Sequence, residues 1–193
     1  MLNKIPVHSV ASIVSHLLSP AGIAALVLLG LPLQTSDPAW TGLVLGLYVA
    51  IPLIAMAILS VRGSRAGDFY DPDPSHRRRL LAMGVVIYAV SAALLWALGA
   101  PDEYKWAGAT FFVGAAIVWL VNFFWKVSIH ATGAGGAVGI LFLSAAPGWP
   151  LAMGLPILVG WARLARGAHN ASQVISGTLL GAAVAWFCQF DAH

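Results

Sequence analysis

The stretch "GWARLARGAHNASQ" at 160–173 gathers Arg163, Arg166 and His169 within seven residues, in a chain of which only 9% of residues are charged. Two more polar clusters stand out, "DFYDPDPSHRRR" at 68–79 and "KVSIHATG" at 126–133. Together the three supply several guanidiniums, the Lys126 ammonium, the imidazoles of His130 and His169, and the Ser128 hydroxyl. This inventory suits a phosphate group. Guanidinium forks match phosphate oxygens in pairs, and helices beginning near Ser128 or Asn170 would aim backbone N–H groups at an anion. Two histidines can divide nucleophile and general-acid roles. Metal binding fits less well, because the histidines have no His-x3-His or cysteine spacing and no acidic companion. No metal and no cofactor is expected.

The elements that must position these residues are membrane helices. Hydrophobic residues make up 60% of the 193, far above the share in soluble domains. Charge-free stretches run over 5–36, 38–61, 80–101, 106–125, 127–162 and 167–190. A span needs about 20 apolar residues. The 127–162 stretch is long enough for two shorter spans, and "SAAPGWP" at 144–150 breaks it, because Pro-Gly-Trp-Pro cannot continue a helix. The expectation is an all-α, polytopic integral membrane bundle. It has seven transmembrane helices near 11–33, 40–61, 80–99, 106–125, 128–146, 149–164 and 171–190, or six if the pair before 164 is one helix. The whole chain reads as one membrane domain. The N-terminal run, with one Lys and no small-residue cleavage site, predicts a retained span rather than a leader.

Seven crossings would put nine of the ten Lys and Arg on one face: Lys4, Arg62, Arg65, Arg77, Arg78, Arg79, Lys126, Arg163 and Arg166. Only Lys105 falls on the other. The positive-inside rule makes the first face cytoplasmic, and all three polar clusters lie on it. The tryptophans at 40, 106, 125, 149 and 161 sit near span ends, as interfacial anchors do. The single cysteine, Cys188, excludes an intramolecular disulfide. The net charge of +3 is concentrated in loops and does not indicate a nucleic-acid partner.

The second and third clusters resemble motifs of the type-2 phosphatidic acid phosphatase superfamily of membrane lipid phosphatases. The family pattern is Lys-x6-Arg-Pro, then Pro-Ser-Gly-His, then Ser-Arg-x5-His-x3-Asp. This chain has Val127-Ser128-Ile129-His130 for the second motif. For the third it has Ala162-Arg163, five residues, His169, three residues and Gln173. The resemblance covers about 68–185. It implies a metal-independent phosphatase in which His169 attacks phosphorus to form a phosphohistidine and His130 protonates the departing oxygen. Arg163 and an arginine of the first cluster, Arg78 or Arg79, would neutralise the phosphate oxygens, with Ser128 adding a hydrogen bond. The implied partners are a lipid phosphate or diphosphate and the surrounding membrane lipids. Candidate substrates are polyprenyl phosphates or diphosphates, phosphatidic acid and phosphatidylglycerol phosphate.

The chain departs from the pattern at defined places. No Lys lies seven residues before Arg77, Arg78 or Arg79, where Tyr70, Asp71 and Pro72 stand, and no Pro follows. Lys126 is the nearest substitute cation. Gln173 replaces the last-motif Asp, so it can orient the His169 ring as a hydrogen-bond acceptor but brings no charge.

Each feature also has a purely structural explanation. Arg163 and Arg166 suit a helix C-terminus and the membrane edge. Asn170-x-x-Gln173 reads as a capping box. His130 fits an interhelical hydrogen bond, and Arg77–Arg79 a topology signal. Ala131–Gly136 and Gly177-x3-Gly181 read as small-residue packing surfaces. Beside the phosphatase stand a catalytically silent lipid-phosphate-binding protein, which Gln173 favours, and a transporter. No repeat and no mid-helix charge supports the last.

Overall fold

The computed structural model describes residues 7–31, 37–61 and 74–189. Residues 68–73 of the first polar cluster, and Lys4, Arg62 and Arg65, lie outside them, as does the side chain of His76. The described residues form helices joined by short turns and loops, with no strand among them. The elements are α1 (Val7–Leu17), α2 (Pro20–Gly30), α3 (Pro38–Leu45), a π-helical turn (Gly46–Ala50), α4 (Ile51–Val61), α5 (Pro74–Ala97), α6 (Asp102–Val121), α7 (Ile129–Leu143), α8 (Trp149–Ala152), α9 (Leu155–Ala165) and α10 (Ala171–Gln189).

Among the described residues four helices are long and apolar enough to cross a membrane: Pro38–Leu59, Arg77–Ala97, Asp102–Val121 and Ala171–Gln189. The bent pair α1–α2 makes up to five. The seven or six expected from hydropathy differ from this count at 128–146 and 149–164. Those stretches fold as shorter apolar helices, and the 15 residues of α7 rise only about 22 Å. The expected single span 11–33 is also divided. Ser19 caps α2 through Gly22 N–H to Ser19 Oγ at 3.3 Å, Pro20 opens it, and the axis turns by 53°. In the second span the π turn directly precedes Pro52, whose ring crowds the carbonyl four residues earlier; the wider turn relieves that clash.

The packing that matters most for function is α7 against α10. A Cβ on Gly135 would collide with the Thr178 carbonyl, and one on Gly181 with that of Thr132. Gly139 meets the Ala185 methyl in the same seam, and Gly177 faces the Ser128 carbonyl. The two helices therefore approach backbone to backbone. This is how small residues drive association where lipid removes the hydrophobic driving force. Across the seam, Ser128 N–H donates to the Gln173 carbonyl at 3.3 Å. The core continues through Ile23, Leu28, Leu95, Ile140 and Val159, all 2% exposed or less.

Candidate active site

The seam brings the start of α7, with His130, beside the loop that enters α10, with His169. Each start is capped by its own polar residues. Ser128 Oγ accepts the Ala131 N–H at 3.4 Å, and the side chain is fully buried. At α10 the capping box closes in both directions. Asn170 Oδ1 accepts the Gln173 N–H at 2.9 Å, and Gln173 Oε1 accepts the Asn170 N–H at 3.2 Å.

The same Gln173 Oε1 lies 3.1 Å from His169 Nδ1. An oxygen that accepts a backbone N–H has no proton to offer, so Nδ1 of His169 is the donor. The ring is thereby held with its proton on Nδ1 and a lone pair on Nε2. Capping and ring orientation are both functions of this one amide oxygen. The loop before His169 is tied from the other side, where Lys126 Nζ donates to the Ala168 carbonyl at 3.0 Å.

His169 and His130 line a polar cavity of about 290 Å³ with Arg77, Lys126, Arg163 and Arg166. Among the described residues no carboxylate lines it. Burial, then Arg163 and Lys126, push the His169 pKa down to about 4 against the opposing pull of the Gln173 hydrogen bond. Lys126 is also lowered, by burial and by Arg77 and Arg163. Both depressions come first from burial and then from neighbouring cations, a positive field that a bound anion would offset. Arg77 Nε is buried and has no hydrogen-bond partner among the described residues. Among those residues no three His, Cys, Asp or Glu converge on one point.

The expected site residues are therefore distributed as follows. Lys126, His130, Arg163 and His169 converge on the cavity, and Gln173 backs His169. Ser128 caps α7 and does not line the cavity. Of the three consecutive arginines it is Arg77 that lines it. Arg78 lies over the Phe123 ring at 5.1 Å, and Arg79 is exposed. Successive helical residues diverge by about 100°, so one of three adjacent arginines faces inward, and spacing alone did not identify which. Arg166, read from sequence as a membrane-edge cation, lines the cavity as well.

Two further residues were not anticipated. Asn122 closes α6, donates Nδ2–H to the Val118 carbonyl at 2.8 Å and lines the cavity. Ser15 of α1 accepts Nη1–H of Arg163 on Oγ at 2.8 Å, across 148 residues of sequence. Its backbone carbonyl accepts the His130 ring N–H. Nδ1 of His130 has no partner among the described residues, so Nε2 makes that bond and Nδ1 carries the lone pair.

A second cavity, of about 330 Å³, adjoins the first and shares Leu81 and Ile129 with it. Its wall is almost wholly apolar, with Ile23, Leu53, Met56, Met83, Ile87 and Val184 on it.

No curated protein and no solved structure matches the chain. Residues 121–190, which hold α7 to α10, both histidines, Lys126 and Arg163, match the family model of the PAP2 superfamily, the superfamily whose motifs Ser128–His130 and Arg163–Gln173 resemble.

Proposed function

We propose that this protein is a membrane lipid phosphatase that hydrolyses a lipid phosphate or diphosphate through a phosphohistidine, without a metal. The observation that carries the reading is the His169 ring, tied at Nδ1 to Gln173 Oε1 and set among Arg77, Lys126, Arg163 and Arg166. Nε2 attacks phosphorus, and the bond between phosphorus and the lipid oxygen breaks. Binding of the anionic phosphate lets His130 take up a proton on Nδ1, and the departing oxygen takes that proton. Water then attacks the phosphohistidine, giving its proton back to His130, and inorganic phosphate leaves as His169 is restored. Arg163 and Arg77 neutralise the equatorial oxygens as charge spreads over them, a contribution of about 3 kcal/mol per well-placed donor. Arg77 takes the role that the sequence divided between Arg78 and Arg79.

The hydrocarbon chain lies in the adjoining apolar cavity, so the substrate is an amphiphile whose head and tail are read separately. Polyprenyl phosphates or diphosphates, phosphatidic acid and phosphatidylglycerol phosphate all meet this requirement. The site opens toward the cytoplasm, on the strength of the Lys and Arg distribution.

Phosphate release from a panel of these lipids tests the activity. Release by the wild type that disappears in His169→Ala is expected; no release from any of them would remove the enzymatic reading. One observation favours a second reading, a silent lipid-phosphate-binding protein: the neutral Gln173 gives no charge to support a cationic intermediate. Gln173→Glu, of equal length, separates the two. A slow enzyme gains rate with it, and a silent binder gains none.

A further inference from the structure

The anion site is completed by a residue far outside the family-matched segment. Ser15 is 2% exposed and lies on the face of α1 that packs on α9. It is placed there by the break at Ser19 and Pro20, which ends α1 beside the site and turns the chain into α2. From this point Ser15 reaches both of the buried functional groups of the cavity. Its hydroxyl holds Nη1 of Arg163 at 2.8 Å, and its carbonyl holds the His130 ring.

An arginine near the end of a membrane helix ordinarily extends its long, rotatable side chain toward the interface. Arg163 instead is 3% exposed. A hydroxyl that fixes one Nη removes much of the rotamer freedom that phosphate binding would otherwise have to restrict.

We propose that Ser15 is a positioning residue for the phosphate group, its hydroxyl anchoring the Arg163 guanidinium so that the remaining N–H groups meet the phosphate oxygens. This rests on the lipid-phosphate reading of the site and extends it by making α1 part of the anion-binding machinery.

The test is binding of inorganic phosphate to the full chain in detergent micelles, followed by titration calorimetry, in a double-mutant cycle of Ser15→Ala and Arg163→Ala. Ser15→Ala is expected to weaken phosphate binding about tenfold, which corresponds to about 1.4 kcal/mol. In the Arg163→Ala background the same change is expected to do nothing, because the two act as a unit. Ser15→Thr, which keeps the hydroxyl, retains wild-type affinity within about twofold. Ser15→Cys, close in size but a poor acceptor, behaves like the Ala variant and serves in its place if the latter does not assemble.

Equal losses in both backgrounds, or a lowered melting temperature with unchanged affinity, would overturn the positioning role and reduce Ser15 to packing. Wild type that binds no phosphate would overturn the anion site itself. Wild type that binds phosphate yet hydrolyses no lipid phosphate would remove the enzymatic reading and leave the role of Ser15 standing.

Discussion

Two neighbouring cavities of similar size, about 290 and 330 Å³, share Leu81 and Ile129 and differ in everything else. Among the described residues the first presents four cations and two histidines without a carboxylate; the second presents mainly aliphatic side chains, two methionines and glycines. The first is held by hydrogen bonds that each name a partner: Gln173 for His169, Ser15 for Arg163, and the Ala168 carbonyl for Lys126. The second is an apolar space between helix faces. On the proposed function, the head of the amphiphile would be recognised by a few directional contacts and its tail accepted by shape alone. The difference explains why the motifs speak of phosphate chemistry and say nothing about the identity of the lipid.

The polar cavity is the more sensitive to a single change. Arg163→Ala is expected to reduce phosphate release by about 10²–10³-fold, and Arg77→Ala by a comparable factor. Arg79→Ala, at an exposed position, should leave the rate within about twofold. A steady-state assay of the three variants on one lipid phosphate decides this, and an Arg79 effect as large as that of Arg77 would reverse the assignment within the first cluster.

The apolar cavity is tested by filling it. Gly84 lines this wall, and a Cβ placed on it meets nothing within 4 Å, so Gly84→Phe has room to grow inward. It should raise KM for long-chain lipid phosphates about tenfold while leaving hydrolysis of a short, water-soluble phosphate monoester unchanged. Equal losses on both substrates would mean that the two cavities do not divide head from tail.

The seam that aligns the histidines responds in stability. Gly181→Ala forces a methyl against the Thr132 carbonyl and Gly136 N, and should cost about 1–3 kcal/mol. Thermal unfolding in detergent, with activity measured alongside, should show both falling together.

The smallest effect concerns protonation. His169 has its pKa pushed down to about 4, mainly by burial and then by Arg163 and Lys126. A depressed histidine is neutral at pH 7. The stability tied to its neutral form is fully present above the ordinary value near 6.5 and is lost as pH falls through about 4. Nitrogen NMR of the ring in the phosphate-free protein should show a proton on Nδ1 alone down to about pH 5. Titration near 6.5 would contradict both the burial of the ring and the cations around it.

Much of the candidate site's geometry was legible because its parts are close in sequence. Ser128-x-His130 and Arg163-x5-His169-x3-Gln173 fall within single loops and helix starts, where spacing translates directly into geometry. The capping box and the small-residue seam were legible for the same reason, since each follows local rules. Ser15 was not, because a serine in an apolar helix carries no sign that it will meet an arginine 148 residues later. Arg77 was obscured by its neighbours. Hydropathy found the apolar stretches and their order, but it measures composition. It could not report that α7 stops at 15 residues, or that Ser19 and Pro20 bend the first stretch by 53°.

The central claim is that Nε2 of His169 becomes covalently phosphorylated. Rapid quenching of the full chain with a radiolabelled lipid phosphate under alkaline conditions, followed by peptide mapping, tests it most directly. The account predicts acid-labile label on the peptide containing His169, with none in His169→Ala. Phosphate release that proceeds without label on His169, or that persists in His169→Ala, would contradict it.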